Sequence, residues 1–276
     1  MPVDDAPAPP AGILADAAGH FAHTAPHPRL RGHIQRIWRN RVAADLRAPL
    51  VIVPDARIDL IWAGGELFVA GPDTGPAIAH VPAGARVIGF QFGAAAANAL
   101  LRVPMERLRD ARVDFAEFAG TRARDLTARA ADAADERQAL AVLQRGLIAL
   151  LGDAPLPDRR LQRVYARLQS DNGDGASAGA IAREAGLSER SLRRRSLDAF
   201  GYGPRTLARV LRFGRFMQAM RARRAAPLAE LALELGYADQ AHMNREVASF
   251  SGCSPGEVRR QLGGDLAVSF KTAPRR

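Results

Sequence analysis

The stretch IAREAGLS at residues 181–188 recurs about 50 residues later as LALELGY at residues 231–237. Each copy is followed by a hydrophobic residue, an arginine, a glycine and a proline, and the spacing among these four residues is the same in both copies. They are Leu192, Arg194, Gly201 and Pro204 in the first copy, and Met243, Arg245, Gly252 and Pro255 in the second. Each copy predicts a helix, a tight turn and a second helix, which is the layout that places a helix in a DNA major groove. A single copy would be weak, because two packed amphipathic helices give the same pattern. The duplication strengthens the interpretation.

In the first copy, Gly186 is expected to end one helix and Ser188 to cap the next. The second helix has an apolar face that includes Leu192 and Phe200. Its leading turns present three guanidinium groups on another face, at i, i+3 and i+4. These candidate base-reading residues are Arg190, Arg193 and Arg194.

The second copy repeats this plan with different polar groups. Gly236 is the predicted break, Asp239 the predicted cap, and Met243, Val247 and Phe250 the predicted buried stripe. Glutamine and asparagine side chains pair with adenine edges and arginine pairs with guanine. The candidate base-reading residues are Gln240, His242, Asn244 and Arg245, with Ala241 beside them.

One amphipathic helix is predicted between the copies, from Arg205 to Arg223. Its predicted buried stripe is Leu207, Val210, Leu211, Gly214 and Met217. A rigid helix of this length would fix the two reading helices relative to each other. They could then enter successive major grooves, roughly 34 Å apart.

The charge distribution divides the chain of 276 residues into two parts. Residues 1–158 hold 17 basic and 18 acidic side chains, a net of −1, whereas residues 159–276 hold 22 and 11, a net of +11. A basic half beside a neutral one indicates a polyanionic partner for the basic half. Arginine-rich solvated helix faces would give the same numbers, so this alternative stays open.

The sequence predicts a small sheet-and-helix domain before the helical half. Residues 1–28 are expected to form an irregular arm, and 29–155 an α+β sensor or dimerisation domain with about five strands in an antiparallel sheet or barrel. Its helices are predicted near 94–102, 104–110, 121–132 and 135–151. A linker at 153–158 leads to an all-α domain at 159–262, interrupted by a break at 170–175 and followed by a flexible tail at 263–276.

Several residues could in principle form a metal, catalytic or effector site, but a structural role explains each of them as well or better. His20, His23 and His27 lack the regular spacing of a metal site, and Cys253 is the single cysteine, without a sequence signature of a nucleophile. Asp55 and Asp59 could form an acid–base pair, although turn capping and an edge polar position are the preferred explanation. Trp38 and Trp62 either line an effector pocket or fill a small core. We therefore expect no catalytic residues, no metal and no cofactor.

The helical half resembles the DNA-binding domain of the AraC/XylS family of transcription regulators over about 175–262. The resemblance rests on the two duplicated runs and on Gly236-Tyr237, Asp239-Gln240, His242-Met243 and Ser254-Pro255. It implies that the seven candidates named above are the base-reading positions. The family usually has an aromatic core residue two positions after the helix arginine, where this chain has Ser196 and Val247. Ser196 is expected to loosen the first unit.

The N-terminal half resembles, more weakly, a sensor domain of such regulators, through Pro28-x-Leu30, Ile37-Trp38, Val53-Pro54-Asp55, Val69-Ala70-Gly71-Pro72 and Gly89-Phe90-Gln91-Phe92. The resemblance implies a mixed sheet-and-helix effector or partner domain without a defined ligand. Together the two halves predict a transcription regulator, an activator, that binds double-stranded DNA. Residues 1–10 lack the pattern of a signal peptide and residues 139–151 are too short to span a bilayer, so we expect a cytoplasmic, nucleoid-associated location and no membrane partner. A small-molecule effector, RNA polymerase and a second copy of the chain are candidate partners. The alternatives are an enzyme domain at 1–155 carried by a DNA-targeting module, and a protein-interaction domain without a small ligand.

Overall fold

The computed structural model describes residues 12–152, 154–171 and 177–263. Parts of four predicted segments lie outside these ranges: 1–11 of the arm, 153 of the linker, 172–175 of the break and 264–276 of the tail. The N-terminal half is rich in strands and the C-terminal half is helical, so the predicted fold class is confirmed. The strands are β1 (Ile13–Leu14), β2 (Gly19–Thr24), β3 (Ile34–Val42), β4 (Leu50–Ile52), β5 (Asp59–Ala63), β6 (Glu66–Ala70), β7 (Ala77–Ala79), β8 (Arg86–Phe92) and β9 (Arg112–Asp114).

These strands form two sheets. The larger sheet has the order β2-β3-β8-β5-β6-β9 with antiparallel neighbours, and the smaller has the order β1-β4-β7, in which β1 runs parallel to β4. The predicted irregular arm is wrong for 19–24, because β2 pairs with β3 from Gly19–Val42 to Thr24–Ile37. Residues 21–24 are exposed, so this edge strand shows no apolar alternation and is held by backbone hydrogen bonds.

Short helices follow the sheet: α1 (Ala97–Leu101), α2 (Ala116–Ala119), α3 (Thr121–Ala131) and α4 (Glu136–Leu151). The helix expected at 104–110 is instead a 3-10 helix, Met105–Leu108, followed by strand β9. Asp110 takes a left-handed conformation, φ +57°, which turns the chain so that β9 can pair with β6. Helices α3 and α4 pack together, and one apolar core joins them to the larger sheet.

The C-terminal half consists of α5 (Arg159–Gln169), α6 (Ala178–Glu184), α7 (Glu189–Phe200), α8 (Pro204–Ala222), α9 (Leu228–Glu234), α10 (Gln240–Ser251) and α11 (Pro255–Leu262). Helix α8 is the predicted connecting helix. It buries more than the predicted stripe, because Phe213, Phe216 and Met220 are also buried while Gly214 is only half-buried. The reason is its central position, in contact with α5, α7, α10 and α11.

The two halves share one apolar core. Leu14, Val51, Ala56 and Ala95 of the N-terminal half belong to the same buried cluster as the helices α5–α11. The backbone N–H of Leu14 also donates to the side chain of Gln261 in α11, at 2.8 Å. The helical half is therefore packed directly on the sheet-containing half.

Candidate nucleic-acid interface

The first helix-turn-helix unit consists of α6 and α7. Gly186 lies between them with φ +65°, and the hydroxyl of Ser188 accepts from the backbone N–H of Ser191 at 3.2 Å, as predicted for a cap. Leu192 is buried, which turns the opposite face of α7 outward. All three candidate arginines, Arg190, Arg193 and Arg194, are exposed there.

The second unit, α9 and α10, has the same construction. Gly236 has φ +76°, and the Asp239 carboxylate caps α10 by accepting from the N–H of His242 at 2.6 Å. Met243, Val247 and Phe250 are buried as predicted. Gln240, Asn244 and Arg245 are exposed along one side of the helix.

His242 differs from the other six candidates because its ring contacts the protein. Its Nδ1 accepts from the N–H of Ala238 at 3.3 Å, and its ring meets the ring of Tyr237 edge-on at 5.4 Å. Its Nε2 lies 4.0 Å from a carboxylate oxygen of Glu246. The ring is half-buried and oriented before any ligand arrives.

A buried carboxylate fixes α10 to the connecting helix. Glu246 is only 3% exposed and accepts from Arg209 Nε at 2.8 Å and from Arg212 at 2.8 and 3.0 Å. Arg212 also donates to the carbonyl of Gly236 at 3.1 Å and lies over the Tyr237 ring. Sequence reasoning missed this network. The sequence feature that could have indicated the network is Glu246 itself, an acidic residue between Arg245 and the buried Val247 in a helical half with a net positive charge.

The first unit has no such network at the equivalent position, 51 residues earlier. There Arg195 pairs with Asp158 at 2.9 Å, and both side chains are partly exposed. The next residue, Ser196, is fully buried and its hydroxyl has no hydrogen-bond partner among the described residues. The expected weakness of the first unit's core at Ser196 therefore corresponds to a buried, unsatisfied polar group.

The N-terminal half contacts the end of α7. Gly201 has φ +75°, and a Cβ there would lie 2.4 Å from Pro72 and 3.1 Å from the Met105 carbonyl oxygen. Arg109 Nε donates to the Gly201 carbonyl at 3.1 Å, and the Tyr202 hydroxyl donates to the Asp73 carbonyl. The first unit is thus held by the N-terminal half.

The two candidate effector residues do not share a pocket. Trp38 pairs across the sheet with Gly89 and Trp62 with Ile88, so their side chains lie on opposite faces. The Trp38 indole donates to Asp59 at 2.7 Å, whereas Trp62 packs against the core between sheet and helices. The two tryptophans therefore do not line one pocket together, because their strand partners are adjacent residues of β8.

Asp55 and Asp59 lie on the Trp38 side of the sheet. Asp55 accepts from the N–H of Arg57 at 2.9 Å, the turn-capping role preferred from the sequence, and keeps contact with solvent. Burial of its inner part and the neighbouring Asp59 carboxylate raise the pKa of Asp55 to about 7. Burial likewise raises the pKa of Asp59. Burial also raises the pKa of the Cys253 thiol, which suits a packed side chain and not a nucleophile.

A cleft of about 880 Å³ opens in the N-terminal half between β4 and β7 on one side and β6, β9 and α3 on the other. Neither tryptophan lines this cleft. Within the described ranges, no three His, Cys, Asp or Glu side chains are placed to hold a metal ion. No described helix combines the length and apolarity required to cross a membrane.

Comparison with known proteins gives two matches to family models. Residues 181–261 match a helix-turn-helix domain, and residues 22–114 match a domain of unknown function, DUF6597. No curated protein matches the chain.

Similar solved structures include an AraC-type regulator from Chromobacterium violaceum, at 21% identity and TM-score 0.36, covering 37% of this chain and 91% of that one. An apo ToxT variant from Vibrio cholerae is 10% identical with TM-score 0.47, covering 82% and 97%. ToxT bound to an unsaturated fatty acid is 10% identical with TM-score 0.41, covering 78% and 87%.

The duplicated units, their exposed polar helices and the matching model define the C-terminal half as a helix-turn-helix domain of the class that binds DNA. Residues 181–261 match the helix-turn-helix model, and the similar solved structures include AraC-type regulators.

Proposed function

We propose that this chain is a DNA-binding transcription regulator of the AraC type, that it reads two unlike DNA half-sites and that a molecule bound to its N-terminal half controls the reading. The observation that carries the proposal is the exposure of six of the seven candidate side chains on two helices of the same construction. Arginine excess in the helical half would supply phosphate contacts and a steep salt dependence. The reading helices would supply base recognition.

The two half-sites should differ because the two helices present different chemistry. Arg190, Arg193 and Arg194 favour guanine edges, at roughly 1–3 kcal/mol of discrimination for each good bidentate contact. Gln240 and Asn244 favour adenine, beside Arg245. His242 is proposed as a reader through the exposed edge of its ring, since the protein already fixes its orientation.

Control through the N-terminal half is supported by its contacts with the end of α7. A ligand or partner that shifts those contacts would change the position of one reading helix and leave the other attached to α8. On this proposal the partners are double-stranded DNA, a small-molecule effector, RNA polymerase for an activator, and a second copy of the chain for a dimer. The place of action is the cytoplasm, at the nucleoid.

Selection of bound sequences from random DNA with the full chain tests this proposal. We expect two dissimilar half-sites about one helical turn apart. Arg194→Ala should relax the preference in one half-site only, and Arg245→Ala in the other. Arg129→Ala, an exposed arginine of α3, is the matched control and should change neither. Recovery of no preferred sequence would reject the proposal.

A further inference from the structure

The cleft in the N-terminal half combines apolar walls with two arginines. Ile52, Phe68 and Ile78 contribute apolar surface, and Ile78 is 47% exposed, which is unusual for a large aliphatic side chain. Arg112 and Arg124 contribute guanidinium groups. The volume of about 880 Å³ falls within the range of small-molecule sites.

The acidic residues of the cleft are mostly engaged with the backbone. Asp110 accepts from the N–H and hydroxyl of Thr74 at 2.6 and 2.8 Å, and Asp114 accepts from the N–H of Ala116 at 2.8 Å. Glu66 is exposed, so water screens its charge. Arg124 is exposed and makes no ion pair with any described residue. The lining therefore offers one uncommitted cation.

The second cation, Arg112, is held by a carboxylate of the chain itself. Its two terminal nitrogens donate to the two oxygens of Asp73, both at 2.7 Å. This is the bidentate geometry that arginine forms with planar carboxylates. The Asp73 side chain is 10% exposed and that of Arg112 is 33% exposed, and of the two only Arg112 lines the cleft. The pair shows that the Arg112 guanidinium can bind a carboxylate.

We propose that the cleft binds a small organic carboxylate with an apolar body, whose carboxylate replaces Asp73 on Arg112 and is also attracted by Arg124. The apolar body would cover Ile78 and Phe68. This inference rests on the proposed control of DNA binding through the N-terminal half, and it assigns the site and the chemical class of the ligand.

Release of Asp73 would be transmitted through the loop from Gly71 to Gly75, called here the 71–75 loop. The Asp73 carbonyl accepts from the Tyr202 hydroxyl, and Pro72 lies against Gly201, both just after α7. At its other end, a Cβ on Gly75 would lie 3.9 Å from the Ser249 carbonyl of α10. The 71–75 loop thus lies near both helix-turn-helix units, but its hydrogen bond is to Tyr202, so a change at Asp73 acts on the end of α7.

The same loop is attached to the segment that follows the 3-10 helix. The Asp110 N–H donates to the Pro72 carbonyl at 3.1 Å, and the Gly71 N–H donates to the Ala111 carbonyl at 3.0 Å. Arg109, in this segment, donates to Gly201. The cleft wall, the 71–75 loop and the end of α7 are therefore joined by hydrogen bonds in one continuous path.

Calorimetric titration of the full chain tests the ligand class. Hexanoate and phenylpropionate should bind at least ten-fold more tightly than hexanol, phenylpropanol and hexylamine. Arg124→Ala should weaken carboxylate binding about ten-fold, whereas the matched control Arg122→Ala, exposed on the same helix but outside the cleft, should not. Asp73→Asn should tighten carboxylate binding several-fold, since the internal competitor is removed.

The assignment would be overturned if the carboxylates bound no more tightly than the alcohols. It would also be overturned if neither Arg124→Ala nor Asp73→Asn changed the carboxylate affinity. These two variants keep the test valid even where Arg112→Ala fails to fold.

Measurement of operator affinity with and without the carboxylate tests the path. Wild-type protein should change its affinity for the selected DNA on addition of ligand. Tyr202→Phe should keep carboxylate binding but lose most of that change, because the hydrogen bond to Asp73 is missing. An unaltered response in Tyr202→Phe would reject the path through Asp73.

The outcomes separate this inference from the proposed function. A protein that selects two half-sites but binds no carboxylate would reject the cleft assignment alone. A protein that selects no sequence would reject the proposed function, whatever binds in the cleft.

Discussion

The two helix-turn-helix units have the same caps and turns but different attachments. The end of α7 is held by the N-terminal half through Gly201 and Tyr202. Helix α10 is held by the connecting helix through Glu246. A buried carboxylate with two arginines makes the second unit a fixed part of the helical half. The first unit depends on a contact between halves, which is where a ligand can act.

The difference extends to the cores of the two units. Val247 in α10 is an apolar residue in an apolar setting, whereas its counterpart Ser196 has a buried hydroxyl with no hydrogen-bond partner in the part of the chain that the structure describes. If the proposed ligand acts on the first unit, its weaker core would lower the energy needed to move that unit. The two units therefore differ in attachment and in core although their caps and turns are the same.

The largest expected effect is on the contact that holds the first unit. Gly201→Ala should destabilise the protein by about 3 kcal/mol, because a left-handed φ costs roughly 1–2 kcal/mol and the new methyl group overlaps Pro72. Gly186→Ala is the matched control, with φ +65° and open space around it, and should cost only about 1–2 kcal/mol. Urea denaturation followed by circular dichroism measures both. Equal losses would show that Pro72 does not confine Gly201.

The next effect concerns the attachment of the second unit. Glu246→Gln should destabilise by about 2 kcal/mol, since it leaves two arginines without their buried charge partner, although both are partly exposed to water. Arg195→Ala at the equivalent position of the first unit should cost less than about 1 kcal/mol, because its pair with Asp158 lies near the surface. The same denaturation measurement applies. A larger loss for Arg195→Ala would reverse the comparison.

A smaller effect of opposite sign is expected at the core of the first unit. Ser196→Ala should stabilise the protein by about 1 kcal/mol, because it removes a buried hydroxyl with no partner. Ser251→Ala should destabilise by about 1 kcal/mol, since that buried hydroxyl donates to the Val247 carbonyl at 2.7 Å and accepts from the Cys253 N–H at 3.1 Å. Thermal unfolding of the two variants should shift in opposite directions. A loss of stability in Ser196→Ala would mean that the hydroxyl is satisfied.

The last expected effect is a pH dependence of stability on the side of the first unit. The folded protein raises the pKa of Asp55 from 3.8 to about 7, so it binds this proton more tightly than the unfolded chain. The resulting stability is complete below about pH 4 and is lost as the pH rises through 7. Asp55→Asn should flatten this slope, and an unchanged slope in this variant would contradict the assignment to Asp55. Trp38 fluorescence should follow the same transition, since its indole donates to the adjacent Asp59.

The helix-turn-helix units were predictable because their determinants are local. Ser188 and Asp239 cap helices within their own turn, and Gly186 and Gly236 bend the chain where they stand. The edge strand β2 was not predictable, because its exposed side chains carry no period and its position is set by backbone pairing with β3.

The attachments were also beyond local reasoning. Glu246 meets Arg209 from 37 positions away, and Tyr202 meets Asp73 from 129 positions away. The sequence shows that such residues exist but not which of many charges and hydroxyls will meet. The cleft, likewise, depends on how two sheets and one helix are arranged.

The short strand β1 contacts both halves of the molecule. It belongs to the smaller sheet through β4, and its Leu14 also lies in the apolar core of the helical half and bonds to Gln261. The two halves are therefore joined by the connecting segment at 152–159 and, at a second place, by the contacts of β1. A force that pulls the halves apart must break the sheet or the core before the connecting segment can extend, so both should unfold in a single cooperative step.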